Sequence, residues 1–227
     1  MTNKYFLTGT DTEVGKTVVS CALLQAANKK GYQTAGYKPV ASGSDMTISG
    51  IRNGDALALQ RNSAVPLTYQ EVNPLAFVEP TSPHIVSAEL NQPIHFSVLS
   101  QGLEALITKS DWVLIEGAGG WYTPLSENTT FADWVILENL PVILTVGIKL
   151  GCINHAVLTA KAIQHSGLKL AGWVANEIEP AGQRQAEYLA TLTRMITAPL
   201  LGIIPHLGGS FDNNKIGEYI SIDSLVN

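Results

Sequence analysis

Cysteine is nearly absent. Cys21 and Cys152 are the two in 227 residues, they stand far apart, and neither belongs to a CxxC pair or a Cys/His cluster. That excludes a disulfide framework and a thiolate zinc site and predicts two reduced thiols. Charge is sparse too: charged residues make up 15% of the chain and the net charge is −5. Such a chain lacks the basic footprint of a nucleic-acid surface, so no nucleic-acid partner is expected. No apolar run approaches the roughly 18 residues a membrane span needs, and the first residues enter a strand without a basic segment and apolar stretch of leader type. The expectation is a cytoplasmic protein with no membrane partner. The histidines, at positions 84, 95, 155, 165 and 206, show no ligand spacing, and no Ser/His/Asp or Cys/His nucleophile arrangement stands out. Repeats, low-complexity tracts and linkers are missing as well.

What is present is an alternation of apolar strands with helical stretches. Strand-length apolar runs occur at Tyr5–Leu7, Thr34–Tyr37, Trp112–Ile115, Val142–Val146, Leu170–Ala175 and Leu200–Ile204. Near-continuous hydrophobic strands imply a parallel sheet covered on both faces. Helix-like stretches lie between them, at Lys16–Lys30, Asp55–Arg61, Phe96–Lys109, Phe131–Glu138, Asn154–His165 and Gly182–Met195. The least regular regions are Pro39–Gly54, Thr68–Pro83 and the tail from Gly208. The pattern predicts an α/β fold, a single-domain, doubly wound, mainly parallel sheet with helices on both faces. In such sheets chemistry collects in the loops beyond the carboxyl ends of the strands, so the residues there are the candidates.

The first such loop is the most informative. Lys4–Ser20 reads as a strand, a glycine-bracketed loop, and Gly15-Lys16-Thr17 opening a helix. Backbone N–H groups of this loop and the positive end of the helix dipole form a nest for phosphate oxygens. Lys16 would reach the β- and γ-phosphates of a nucleoside triphosphate, and the Thr17 hydroxyl would ligate Mg²⁺. Gly9 and Gly15 enclose five residues, Thr10 to Val14, one more than the usual spacing of a phosphate loop. After the second strand come Lys38 and a Pro/Ser/Gly-rich loop. That lysine either neutralises phosphoryl oxygens or an anionic substrate, or is a solvated end of an edge strand. After the third stands Glu116, with Gly117-Ala118-Gly119-Gly120 behind it. A carboxylate there is placed for Mg²⁺, and the glycines allow close approach of backbone to ligand. Asp55 is either a third metal ligand or the cap of the helix that follows. The loop Lys149–Asn154 precedes a helix whose amides could hold a carboxylate, or is a plain connection. Asn176 could read an adenine edge or bracket a turn.

Six segments in order carry a family resemblance: GTDTEVGKT at 9–17, AGYKPVASGS at 35–44, RNGDAL at 52–57, VLIEGAGGW at 113–121, GCINHA at 151–156 and GWVAN at 172–176. Together the chain resembles dethiobiotin synthetase, a P-loop NTPase-like ligase family of biotin biosynthesis whose loop has the same extra residue. The likeness runs from Lys4 to about Pro205, with less typical sequence at Pro205-His206-Leu207 and at Asp212. It implies a homodimer that closes a ureido ring from diaminopelargonic acid, CO₂ and MgATP through a carbamate and a carbamic-phosphoric anhydride. By the same resemblance Lys38, Lys16 and Thr12 serve the chemistry, and Thr17, Asp55 and Glu116 hold Mg²⁺. ATP contacts fall on Glu13, Val14, Gly15, Lys16, Thr17, Val18, Asp55 and Glu116–Gly119. Asn176, Glu177, Pro205, His206, Leu207 and Asp212 lie at the base and ribose. Thr12 and Ser42 meet the diamine end, while Gly151, Cys152, Ile153, Asn154 and Tyr188 meet the substrate carboxylate across the dimer. Tyr188 reads equally as a helix packing position.

Two other classes share the nucleotide loop. A partitioning-type switch ATPase would carry an extra lysine four residues before the second loop glycine, where this chain has Asp11, and no C-terminal amphipathic anchor is evident. A non-catalytic nucleotide-sensing module would have no need of Lys38, Asp55 and Glu116 together.

Overall fold

The computed structural model describes residues 2–208 and 215–226; Asp212 lies outside the described residues. In chain order the elements are β1 (Asn3–Gly9), α1 (Lys16–Lys29), β2 (Thr34–Tyr37), β3 (Val40–Ala41), β4 (Asp45–Thr47), β5 (Gly50–Arg52), α2 (Gly54–Asn62), α3 (Tyr69–Val72), β6 (Leu75–Ala76), α4 (Pro83–Glu89), α5 (Phe96–Ile107), β7 (Trp112–Gly120), α6 (Phe131–Leu137), β8 (Val142–Gly147), α7 (Cys152–His165), β9 (Leu170–Asn176), α8 (Gln185–Met195) and β10 (Leu200–Ile204). Two short 3₁₀ turns, Ile216–Tyr219 and Asp223–Leu225, follow.

Six of the strands form one sheet in the order β10-β9-β8-β1-β7-β2, and all its pairings are parallel. They are the six apolar runs of the sequence; all but the edge strand β10 are buried on both faces over their apolar run, which is why they read as continuous rather than alternating. On one face Phe6, Val113, Ile115, Val142, Leu144 and Trp173 pack against α5, α6 and α7 through Leu103, Trp134 and Ile163. On the other face Tyr5, Leu7, Trp112, Leu114 and Ile143 meet α1 and α2 through Leu23, Leu24 and Leu59. The doubly wound expectation is met. Ile216, Ile220 and Ile222 return from the chain's end to this second core.

Local chemistry sets the boundaries that matter for the site. α2 starts where Asn53 accepts hydrogen bonds from the backbone N–H groups of Asp55 and Ala56, so Asn53 is its N-cap. Asp55 therefore does not cap the helix, and its carboxylate is free for other partners. β7 runs on past Glu116 to Gly120, longer than the apolar run predicts. Its register against β1 breaks between the Leu7↔Glu116 and Gly9↔Gly120 pairs, so Gly117–Gly119 bow out from the ladder. Glycine permits this: a side chain on Gly117 would strike the Phe6 ring at 2.7 Å, and Gly119 has φ +59°. The irregular stretch from 39 to 83 contains a two-strand bridge β3–β6 and an antiparallel hairpin β4–β5. α7 begins at Cys152, two residues earlier than expected, and α8 at Gln185, three later.

Candidate active site

At the carboxyl ends of β1, β2 and β7, residues Thr12, Glu13, Gly15, Lys16, Thr17, Val18, Lys38, Ser42, Asp55, Ala118 and Gly119 line one cavity of about 380 Å³. The loop from Thr10 to Gly15 shapes its floor. Glu13 and Gly15 both adopt left-handed backbone, φ +60° and +79°. Alternation of backbone hand turns successive N–H groups inward into an anion nest. Val14 is buried between Gly9 and Gly147, so its side chain anchors the loop. The amide of Asn176 donates from Nδ2 to the Val14 carbonyl at 2.9 Å, tying the loop to the end of β9.

The electrostatic centre of the cavity is Glu116. It is fully buried, and Oε1 accepts from the Thr17 hydroxyl at 2.9 Å and from Lys38 Nζ at 2.7 Å. Oε2 accepts from the Ser20 hydroxyl at 2.6 Å. A carboxylate so far from water stays ionised only with such partners. Lys38, 3% exposed, also donates to Asp55 Oδ2 at 3.1 Å and to the Gly117 carbonyl at 3.3 Å. Burial alone would lower the Lys38 pKa, but the charges of Glu116 and Asp55 outweigh it and hold the ammonium above its ordinary value. Asp55 is pushed up by burial and pulled further down by Lys38 and Thr17, ending below the usual carboxylate range. Lys16 differs. Burial, reinforced by the nearby charge of Lys38, brings it down to about 8, and its Nζ donates to the Asp11 carbonyl at 3.0 Å. Lys38 is thus no solvated end of an edge strand, although β2 is the edge of the sheet.

Hydroxyl and carboxylate oxygens are the donors that Mg²⁺ prefers; Thr17 and Asp55 line the cavity, and Glu116 lies buried behind it, bonded to the Thr17 hydroxyl. Two carboxylates and a hydroxyl fall short of a full coordination shell, and no cluster of three or more His, Cys, Asp or Glu capable of holding a metal occurs among the described residues. That suits Mg²⁺, which is usually held by one or two carboxylates together with substrate phosphates. The residues fit the ion.

A neighbouring cavity of about 240 Å³ continues from Glu13, Gly15 and Val18 to Asn176, Glu177, Ile178, Pro205, His206 and Leu207. It lies where a nucleoside attached to phosphates in the first cavity would extend. Gly151, Cys152, Ile153, Asn154 and Tyr188 line neither. Gly151 is the left-handed N-cap of α7, the Cys152 side chain is buried in the core, and Tyr188 packs partly against that core. Tyr188 also lines a separate recess of about 130 Å³ with Lys149, Leu150 and Arg184. Sequence reasoning missed Ser20, Asn53, Tyr69 and Asn73. A signal existed for Ser20, which stands three residues after Thr17 and so on the same helical face.

A sequence-family model described as an AAA domain matches residues 3–211. The ATP-dependent dethiobiotin synthetase BioD 1 of Escherichia coli (strain K12) is 66% identical over 225 residues, covering 99% of this chain and 100% of the relative. The chain belongs to the dethiobiotin synthetase family. Its counterpart from Salmonella typhimurium, named ATP-dependent dethiobiotin synthetase BioD 1, is 64% identical over 225 residues, 99% of each chain. Among solved structures, the septum site-determining protein MinD complexed with Mg-ADP from Pyrococcus horikoshii OT3 superposes with a TM-score of 0.56 at 17% identity, covering 90% of this chain and 82% of that one. The MinC:MinD cell division complex of Aquifex aeolicus gives 0.57 at 15% identity, covering 96% and 86%. At these identities the structural likeness speaks for the fold alone. Membership of the synthetase family gives the phosphate cavity a nucleotide to hold, and it makes Lys38 the residue that most needs a role.

Proposed function

We propose that this protein is an ATP-dependent dethiobiotin synthetase acting in biotin biosynthesis, which joins diaminopelargonic acid to CO₂ and closes a ureido ring with release of ADP and phosphate. The observation that carries the reading is Lys38: a buried ammonium in the phosphate cavity, 2.7 Å from Glu116 and 3.1 Å from Asp55, in addition to the phosphate-loop Lys16. Binding of a triphosphate needs one such lysine. A second, facing the same cavity, suits an anionic co-substrate that must approach the γ-phosphate.

The sequence of events is the one the family resemblance implies, and the charges of the cavity suit it. One amine of the substrate captures CO₂ as a carbamate and gives up a proton. Lys38 faces that anion, with Thr12 and Ser42 as polar contacts to the diamine end. The carbamate oxygen then attacks the γ-phosphorus while the bond to ADP breaks, giving a mixed carbamic-phosphoric anhydride. Lys16 follows the oxygens of the transferred group. The second amine attacks the anhydride carbonyl and expels phosphate, closing the ring. Thr17, Asp55 and Glu116 would hold Mg²⁺, which when bound would neutralise phosphate charge. Little acid–base machinery is required, since holding carbamate and phosphorus together provides most of the acceleration.

The base would occupy the cavity bounded by Asn176, Glu177 and Pro205–Leu207, with Asn176 Oδ1 as acceptor because Nδ2 is engaged by Val14. The carboxylate of the substrate would meet the first turn of α7 and Tyr188 of a second copy, in a cytoplasmic homodimer. No helix among the described residues is long and apolar enough to cross a membrane.

The deciding experiment measures phosphate release from MgATP with and without the diamine, in bicarbonate-containing and CO₂-depleted buffer, with product mass recorded. Turnover that requires both partners is expected, with a product heavier than the diamine by one carbonyl less the two amine hydrogens lost on ring closure. Turnover indifferent to both refutes the assignment and leaves an ATPase of the switch type as the better reading of the fold.

A further inference from the structure

After Lys38 the chain leaves the sheet, touches β2 again where Ser63 Oγ accepts from the Gly36 N–H and the Ala64 and Val65 N–H groups donate to the Thr34 carbonyl, and comes back beside Lys38 at Val72 and Asn73. Lys38, Ser42 and Asp55 all lie on this excursion, which is built from short elements: the β4–β5 hairpin, α2 and α3. Short elements position side chains loosely unless something else fixes them. Here a hydrogen-bond relay runs through the excursion. Asn73, 1% exposed, donates from Nδ2 to the Lys38 carbonyl at 2.6 Å and to the Leu75 carbonyl at 3.2 Å. Its Oδ1 accepts from the Tyr69 hydroxyl at 2.8 Å, and that hydroxyl accepts from the Asn53 backbone N–H at 2.7 Å. Asn53 then caps α2 through Oδ1 and donates from Nδ2 to the Ser42 carbonyl at 3.4 Å.

We infer that Tyr69, with Asn73 and Asn53, is a positioning relay that holds Lys38, Ser42 and Asp55 in mutual register independently of the phosphate loop. The significance of that register for catalysis rests on the function proposed above. The hydroxyl of Tyr69 is the joint. It uses its donor on Asn73 and an acceptor site on Asn53, while the Arg52 guanidinium lies over its ring at 4.2 Å and fixes the plane. Helix capping by itself needs only Asn53 Oδ1, and the return of the chain beside β2 is already secured by the bond from Lys38 N–H to the Val72 carbonyl at 2.8 Å. What the relay adds is a link between the backbone that carries Lys38 and the cap that places Asp55. Those two side chains meet at 3.1 Å. Orienting partners of this kind commonly change activity by about 10- to 100-fold when removed.

Tyr69→Phe keeps the ring and the Arg52 stack and deletes the hydroxyl. Its kcat for diamine-dependent phosphate release is expected to fall on the order of tenfold, while the affinity for ATP measured without metal stays within about twofold, because the phosphate loop does not touch the relay. A second readout does not depend on turnover. Amine acetylation mapped by mass should modify Lys38 several-fold faster in the variant than in the parent, with Lys30 and Lys109 modified at parental rates. Parental kcat together with parental Lys38 labelling would overturn the relay. So would parallel losses of kcat, ATP affinity and melting temperature, which mark general loosening. If the parent itself makes no product, the substrate assignment fails and the labelling of Lys38 alone decides the relay. Asn53→Ser provides a second variant. Serine caps a helix well but lacks the Nδ2 donor to Ser42. It is expected to raise the diamine KM several-fold with a smaller change in kcat, and an unchanged KM counts against the relay.

Discussion

Glu116 sits in the sheet with no access to water, and each of its oxygens is assigned. Thr17 and Lys38 share Oε1, and Ser20 alone holds Oε2. Removing the serine hydroxyl leaves one lone-pair face of a buried carboxylate without a donor, at a cost of about 1–3 kcal/mol. Ser20→Ala is therefore expected to lower the melting temperature modestly and to raise the Mg²⁺ concentration for half-maximal turnover several-fold, because the carboxylate is free to rotate away. A Mg²⁺ titration at saturating ATP decides it, and a parental half-maximum removes Ser20 from the metal site. Glu13 presents the reverse case, a residue whose backbone is strained for position. Its φ of +60° costs a non-glycine residue about 1–2 kcal/mol. Glu13→Gly relieves that strain but also frees the unfolded chain, so the melting temperature is expected to change little; a fall of many degrees would show that the Glu13 side chain stabilises the loop.

α3 shows how a four-residue helix is held in place. Thr68 accepts from the Glu71 backbone N–H, and the Glu71 carboxylate accepts from the Thr68 backbone, a reciprocal capping box. Lys109 also donates to Glu71, and these bonds together bring the Glu71 carboxyl down to about 2, the Lys109 contribution being the largest. A folded-state pKa below the ordinary value stabilises the native state at neutral pH, and that stabilisation is lost as pH falls from the ordinary carboxylate range through about 2. Both partners are partly in solvent, so the effect is screened and worth under about 1 kcal/mol. Glu71→Gln should flatten the acid limb of the stability curve between about pH 4.5 and 2 and leave the neutral-pH melting temperature nearly unchanged; a parental acid limb would contradict it. The sequence does not reveal α3, since four residues cannot display a helical period. The hairpin β4–β5 escapes for a similar reason, with three-residue strands of which β4 is exposed throughout and β5 only partly covered. α4 is different. Ser82-Pro83 is a start signal of the ordinary kind, proline at the first helical position, and it lies at the edge of a stretch that otherwise reads as loop. The six sheet strands were legible because a buried parallel strand is written in consecutive apolar residues.

At the scale of the whole molecule, the gathering of Lys16, Lys38 and Glu116 was legible because each follows an apolar strand, and the topology then brings strand ends together without further information. Asp55 needed the structure, since a cap and a ligand have the same spacing, and the hydrogen bonds to Asn53 remove the cap reading. The Tyr69 relay was not legible at all: it joins residues across an irregular excursion where no periodicity assigns neighbours. The carboxylate end is the remaining question of assembly. Within one chain Tyr188 and the loop before α7 border a recess other than the phosphate cavity. Leu150, beside that loop, is 87% exposed and Leu158, two turns into α7, is 60% exposed, more apolar surface than a helix end normally shows to water. If a second copy covers this surface and brings its α7 amides to the first copy's substrate, dimerisation completes the diamine site and leaves the nucleotide site as it is. Sedimentation should then find a dimer, and dilution below its dissociation constant should raise the diamine KM while ATP affinity stays constant. The two sites separate cleanly in this test because Lys16, Thr17 and Asn176, the residues proposed for the nucleotide, all belong to one chain. A monomer with a concentration-independent diamine KM would mean that one chain binds both ends of its substrate, and the exposed Leu150 and Leu158 would then need another explanation.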